Sequence, residues 1–142
     1  MSSTNLSVGF IGAGLMASAM MDGMIAKGVV VGGEAITASD VYEPSRKKAE
    51  AKGVNATESN QEVCSRAKDV IILAVKPNVI ADVCQDVMKV PSEALVISIA
   101  AGVTLNTLQT LLPGRRVVRV MPNTPCVVGE VRNKFMDSLS LF

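Results

Sequence analysis

The stretch Val8-Gly9-Phe10-Ile11-Gly12-Ala13-Gly14-Leu15-Met16-Ala17-Ser18-Ala19 constrains this chain more than any other. An apolar run, two glycines and a helix-forming run follow one another directly. The spacing predicts a buried strand turning into a helix from Leu15 to Lys27, closed by Gly28. Gly12, Gly14 and Ala17 fit the pattern G-x-G-x-x-G/A. In that pattern the first glycine makes the tight turn, the second admits a pyrophosphate close to the backbone, and the third small residue lets helix and strand pack. The helix start presents unpaired N–H groups and the positive end of its dipole, so no basic side chain is needed at the phosphates. Glycines between apolar segments also mark plain turns; here the strand before and the helix after favour dinucleotide binding.

The remaining chain repeats the alternation. Ala35–Ser39 reads as a second strand, and Pro44 suits the first turn of a helix through Ala51, with Gly53 as its stop. A brief strand at Val54–Ala56 leads to Ser59 and Glu62, which have capping-box spacing and predict a third helix. Asp69–Val75 is almost continuously apolar, as a parallel strand covered on both faces must be. A helix over Val79–Met88, a strand over Ala94–Ile99, a helix capped by Thr104 and broken at Pro113-Gly114, and a strand over Val117–Val120 complete the pattern. The fold class expected is α/β, a doubly wound parallel sheet of the Rossmann type that binds NAD(P). Ligands of such sheets lie across the carboxyl ends of the strands, where strand order reverses.

With 142 residues, the chain is expected to be one such domain over residues 1–130, followed by a tail over 131–142. Fourteen basic and 13 acidic residues give a net charge of +1, so no electrostatic footprint for nucleic acid or a membrane surface is expected. The absence of histidine argues against a zinc site, and no metal is expected. Three separated cysteines (Cys64, Cys84, Cys126) suit reduced thiols, and the N-terminus lacks a signal-peptide pattern, so a cytoplasmic location is expected.

Residues just past the strands are the candidates for chemistry. At the end of the second strand, Ser39 suits donation to a phosphate with Arg46 or Lys47 to neutralise it, whereas Asp40 favours an unphosphorylated ribose. The same residues also suit a plain turn and a solvated helix face. Lys76, fixed by Pro77, sits where a ribose or phosphate passes, or simply ends a strand in solvent. Asn123, held between Pro122 and Pro125, suits orienting a nicotinamide or a substrate, and equally a structural turn. Cys126 is read as a small buried hydrophobe, and Met16, Met20 and Met24 as packing residues. No nucleophile–base pair can be assembled, so the catalytic residues are unknown and the hard chemistry is expected to belong to a cofactor.

Four stretches together resemble the pyrroline-5-carboxylate reductases: Val8–Gly14 with Met16-Ala17, Leu73–Pro77, Ser98–Thr104 and Arg119–Pro125. The resemblance implies that Ile11, Gly12, Ala13, Gly14, Leu15 and Met16 cradle a pyrophosphate and that Ser39 lies near the adenosine ribose or its phosphate. It also implies cofactor contacts from Asn60, from Ala74, Val75, Lys76 and Pro77, and from Ala100, Ala101 and Gly102. The implied cofactor is NADP, with NAD as the alternative. The implied activity is reduction of the small molecule 1-pyrroline-5-carboxylate to L-proline, the last step of proline biosynthesis. Members of that family continue into a helical domain that holds the substrate and builds a homo-oligomer. Val131–Phe142 does not match it, so this chain is expected to be a truncated cofactor-binding portion. A non-catalytic NAD(P)-binding module and a related imine or β-hydroxyacid reductase are the competing readings.

Overall fold

The computed structural model describes residues 6–121. Six strands and five helices alternate along it: β1 (Val8–Ile11), α1 (Leu15–Ala26), β2 (Ile36–Ser39), α2 (Glu43–Glu50), β3 (Asn55–Thr57), α3 (Asn60–Arg66), β4 (Val70–Leu73), α4 (Ile80–Met88), β5 (Leu95–Ser98), α5 (Leu105–Leu111) and β6 (Val117–Arg119). The strands form one parallel sheet in the order β3-β2-β1-β4-β5-β6. The doubly wound α/β class read from the sequence is borne out.

Side chains along the central strands alternate between two apolar layers, and both layers are buried. Phe10, Ile72 and Ile97 join Met20, Met21 and Met24 of α1 on one face. Ile11, Ile71, Leu73 and Val96 meet Val63 of α3, Val83 and Val87 of α4 and Leu108 of α5 on the other. Burial on both faces is why β4 reads as an unbroken apolar run rather than an alternating one. Each fully buried isoleucine or leucine contributes about 1.5–3 kcal/mol relative to exposure. Met20 and Met24 are packing residues as expected.

Several boundaries differ from the sequence reading, and each difference has a local cause. β4 stops at Leu73, because Pro77 opens a 3-10 turn through Val79 and draws the chain away from the sheet; α4 then starts at Ile80. Ala35 closes another 3-10 turn, so β2 begins at Ile36. Ser59 caps α3 by accepting from the Glu62 N–H at 3.1 Å. The return half of the box is missing: Thr57 donates its hydroxyl to Glu62 at 2.9 Å, and Ser59 N donates to that same hydroxyl oxygen. Thr104 caps α5 through the Thr107 N–H.

Gly9 carries a role that no motif announces. A Cβ there would stand 2.5 Å from Val63 Cγ1 and 2.8 Å from Ala67 Cβ, so its absence lets α3 lie directly on β1.

Candidate functional site at the strand switch

Strand order reverses between β1 and β4, so the chain leaves these neighbours toward opposite faces and a cleft opens at their carboxyl ends. Gly12 makes the first turn with φ +103°, and its N–H donates to the Ser39 carbonyl at 2.8 Å. A Cβ there would collide with the Ala74 carbonyl, so glycine is required by the fold itself. Gly14 is different. Its φ of −75° is open to any residue, and a Cβ built on it meets nothing within 4 Å. The fold makes no use of the missing side chain; the room it leaves faces outward.

Gly14 is also the N-cap of α1, with no side-chain cap and no acidic residue in the first turn. The first helical bond runs from Ser18 N to Gly14 O at 2.8 Å, so the N–H groups of Leu15, Met16 and Ala17 have no acceptor within the helix. Unpaired donors at the positive end of a twelve-residue helix have the polarity to accept an anion such as phosphate.

Two clefts meet at this point. The larger, about 430 Å³, is walled by Gly14–Ala17 after β1, Ala74–Lys76 after β4, Ile99–Ala101 after β5 and Met121 after β6. The other, about 300 Å³, lies between α1 and α2 and is lined by Ala13, Gly14, Leu15, Ser18, Tyr42, Pro44, Ser45 and Lys48. Gly14 and Leu15 belong to both, and Leu15 is 81% exposed at the junction. A two-lobed ligand joined by a phosphate bridge fits this outline: one lobe in each cleft and the bridge over Gly14.

The structure thus gathers Gly14, Leu15, Met16, Ala74, Val75, Lys76, Ala100 and Ala101 around one cleft. Ile11 and Gly12 sit beneath it, and Ala13 opens on the other cleft. Pro77 and Gly102 stand outside both linings, next in sequence to Lys76 and Ala101. Lys76 is exposed and forms no ion pair among the described residues. Asn123 lies outside the described residues, as do Cys126 and the tail over 131–142. Sequence reasoning missed Tyr42 and Ser45, and met Lys48 only beside Arg46 and Lys47, with a solvated helix face as one of the two readings of that run. The three-residue spacing of Ser45 and Lys48 puts both on one face of α2 and was the available signal.

Ser39 and Asn60 form a separate polar group beside β2. Ser39 is only 1% exposed, and its hydroxyl donates to Asn60 Oδ1 at 2.7 Å. Asn60 Nδ2 donates in turn to Asp86 Oδ2 at 3.0 Å. Asp40, next in the chain, accepts from Ala13 N and from Tyr42 N, both at 2.9 Å. Arg46 donates to the Asp40 carbonyl at 2.9 Å and approaches Glu58 at 3.2 Å.

Among the described residues no cluster of Cys, Asp and Glu suits a metal ion. Cys64 and Cys84 are free and buried. Burial pushes both thiols up to about 11; for Cys64, Arg115 pulls the other way and Asp86 adds to the rise. No helix among the described residues is long and apolar enough to cross a membrane.

Residues 7–102 match the family described as NADP oxidoreductase coenzyme F420-dependent. The chain is 50% identical over 129 residues to pyrroline-5-carboxylate reductase of Methanosarcina acetivorans, covering 89% of this chain and 47% of that protein. The solved pyrroline-5-carboxylate reductase of Coxiella burnetii superposes with a TM-score of 0.77 at 34% identity, over 86% of this chain and 46% of that one. The Plasmodium falciparum pyrroline carboxylate reductase with NADP bound gives 0.75 at 29% identity, over 90% and 46%. The resemblance read from four short stretches is therefore borne out across most of the chain. The chain spans about half the length of the curated relatives it matches.

Proposed function

Since the chain belongs to the NADP oxidoreductase coenzyme F420-dependent family, we propose that its residues 1–130 are the dinucleotide-binding half of a pyrroline-5-carboxylate reductase, with residues 131–142 a tail outside that half. The reaction is reduction of the carbon–nitrogen double bond of 1-pyrroline-5-carboxylate to L-proline, with NADP or, in its place, NAD as cofactor. When bound, the cofactor supplies the hydride from its nicotinamide ring.

This chain's own residues bind and orient. The N–H groups of Leu15, Met16 and Ala17 receive the pyrophosphate over Gly14, and Lys76 adds positive charge at the cleft. Ile99, Ala100 and Met121 offer an apolar wall for the nicotinamide to lie against. Ile11 to Ala13, Ser39 and Asn60 shape the adenosine side, and Pro77 and Gly102 hold the rims. Asn123 orients the nicotinamide or the substrate. In this reading the substrate pocket and the homo-oligomer contacts lie outside residues 1–130. We place the protein in the cytoplasm, where free thiols such as Cys64 and Cys84 persist.

The observation that carries this reading is Gly14. A glycine that needs neither its backbone freedom nor its lack of a side chain, at the meeting point of two clefts and of three unpaired N–H groups, is accounted for by a phosphate bridge. The pyrroline-5-carboxylate reductase names of the relatives, and the NADP in one of the solved structures, support the same reading.

The test is titration of the full chain with NADPH and NADH, followed by calorimetry, with 1-pyrroline-5-carboxylate turnover assayed on the same sample. Saturable binding without turnover is the expected result for a cofactor-binding half. Absence of binding to either cofactor by a folded sample would overturn the assignment.

A further inference from the structure

We propose that Met121 is a reversible oxidation site that couples hydrogen peroxide to cofactor binding: peroxide converts its thioether to the sulfoxide, and the sulfoxide weakens the hold on the nicotinamide half of the cofactor. The inference rests on the dinucleotide reading above and goes beyond it by assigning a chemical modification to one wall of the larger cleft.

Exposure singles out this sulfur. Among the described methionines, Met20, Met21 and Met24 are buried in the core, and Met16 and Met88 are half-buried against the two apolar layers. Met121 is 47% exposed. A thioether is oxidised where peroxide can reach it, so Met121 reacts ahead of the other five. In that step a sulfur lone pair takes one oxygen of hydrogen peroxide, the O–O bond breaks, and a proton completes the departing hydroxide as water. The sulfur gives up two electrons and the peroxide accepts them. Thiol-dependent sulfoxide reductases return the thioether.

Position gives the modification its effect. Met121 lines the cleft of about 430 Å³ together with Ile99 and Ala100, and Lys76 carries the only polar side chain in that lining. A thioether offers a polarizable apolar surface to a ring lying on it. A sulfoxide oxygen accepts hydrogen bonds and is hydrated while the cleft is open. The face of a nicotinamide ring laid over it removes that water and supplies no donor in return. The smaller cleft, between α1 and α2, does not include Met121, so the adenosine half is held as before. A bound nicotinamide covers the sulfur in turn, and occupancy therefore slows its oxidation.

The test treats the full chain with hydrogen peroxide and follows each methionine by peptide mass spectrometry. Among the described methionines, Met121 is expected to gain oxygen first. The oxidised cofactors NAD or NADP, which peroxide leaves intact, are expected to slow this severalfold, whereas AMP, which lacks the nicotinamide half, is expected to leave the rate unchanged. After peroxide is removed, fluorescence titration is expected to show NADPH and NADH bound about tenfold more weakly than by the untreated chain. Treatment with a methionine sulfoxide reductase and dithiothreitol is expected to restore the loss. Met121→Leu, whatever its own affinity, is expected to bind equally before and after peroxide. Oxidation of Met121 at the same rate with and without cofactor, equal protection by AMP, or an equal loss of affinity in peroxide-treated Met121→Leu would overturn the inference and leave the dinucleotide reading intact. Binding of neither cofactor by the untreated, folded chain would overturn both.

Discussion

Asp40 Oδ2 accepts a 2.9 Å hydrogen bond from the backbone N–H of Ala13, tying the end of β2 to the glycine loop after β1 across 27 residues. The loop is thus braced from outside its own sequence. With Gly12 N donating to Ser39 O, two hydrogen bonds hold the loop against the segment Ser39-Asp40. The N–H groups that remain unpaired then belong to the first turn of α1, at the cleft. A rigid loop with its spare donors gathered on one side is pre-organised for an anion.

Gly12 and Gly14 are expected to separate fold from function. Gly12→Ala places a side chain at φ +103° and against the Ala74 carbonyl, so it should destabilise the chain by about 2 kcal/mol or more. Gly14→Ala meets nothing and should leave the melting temperature within a few degrees, while weakening cofactor binding about tenfold. Thermal melts and cofactor titrations on both variants check this. Equal loss of stability in the two would contradict it.

Gly9→Ala forces α3 away from β1, and a cost of about 1–3 kcal/mol is expected. Val63→Ala removes the nearer obstacle, since Val63 Cγ1 is the 2.5 Å contact. In a double-mutant cycle by urea denaturation, the second change should therefore cost less in the Gly9→Ala background than in the wild type. Simple additivity would show that the two positions do not press on each other.

Lys76→Ala removes an exposed side chain with no ion pair among the described residues, so stability should change by less than about 0.5 kcal/mol. Cofactor affinity should fall about tenfold at low salt and by less at high salt, as screening weakens the charge it supplies. Titrations at two ionic strengths read the difference. An unchanged affinity would leave Lys76 as a solvated strand terminus.

Stability is expected to fall in alkaline solution through the two buried thiols. Burial raises both from 9.0 to about 11, so the unfolded chain loses these protons first. The stabilisation is complete below pH 9 and is lost as pH rises toward 11, by roughly 1–3 kcal/mol for each thiol. Urea midpoints at pH 8 and pH 10.5 should differ more for the wild type than for a Cys64→Ala/Cys84→Ala double variant. An equal difference in both would assign the pH dependence to other groups.

Much of the site was legible because it is written in neighbouring residues. Apolar runs ended by glycine, the caps Ser59 and Thr104, and the G-x-G-x-x-A spacing all act within a few residues. Lys76 could be placed at the cleft because a parallel strand must deliver whatever follows it to the ligand edge. The state of Ser39 was not legible. It was read as a donor available to a phosphate, whereas its hydrogen is spent on Asn60, 21 residues away, whose amide is turned by Asp86, a further 26 residues on. Gly9 was overlooked for the same reason: the side chains it lies against, Val63 and Ala67, come from elsewhere in the chain.

Sequence alone determined the order of strands and helices, the apolar interior on both sides of the sheet and the glycine turn that opens α1 at the cleft. Those properties follow from local backbone preference and from the period of apolar residues, which need no knowledge of distant partners. Tertiary structure alone decided which polar groups at the strand ends still have hydrogens or charge to offer. A hydrogen bond uses up a donor only when folding brings its acceptor within about 3 Å, and acceptors such as Asp86 and Asp40 arrive from elsewhere in the chain.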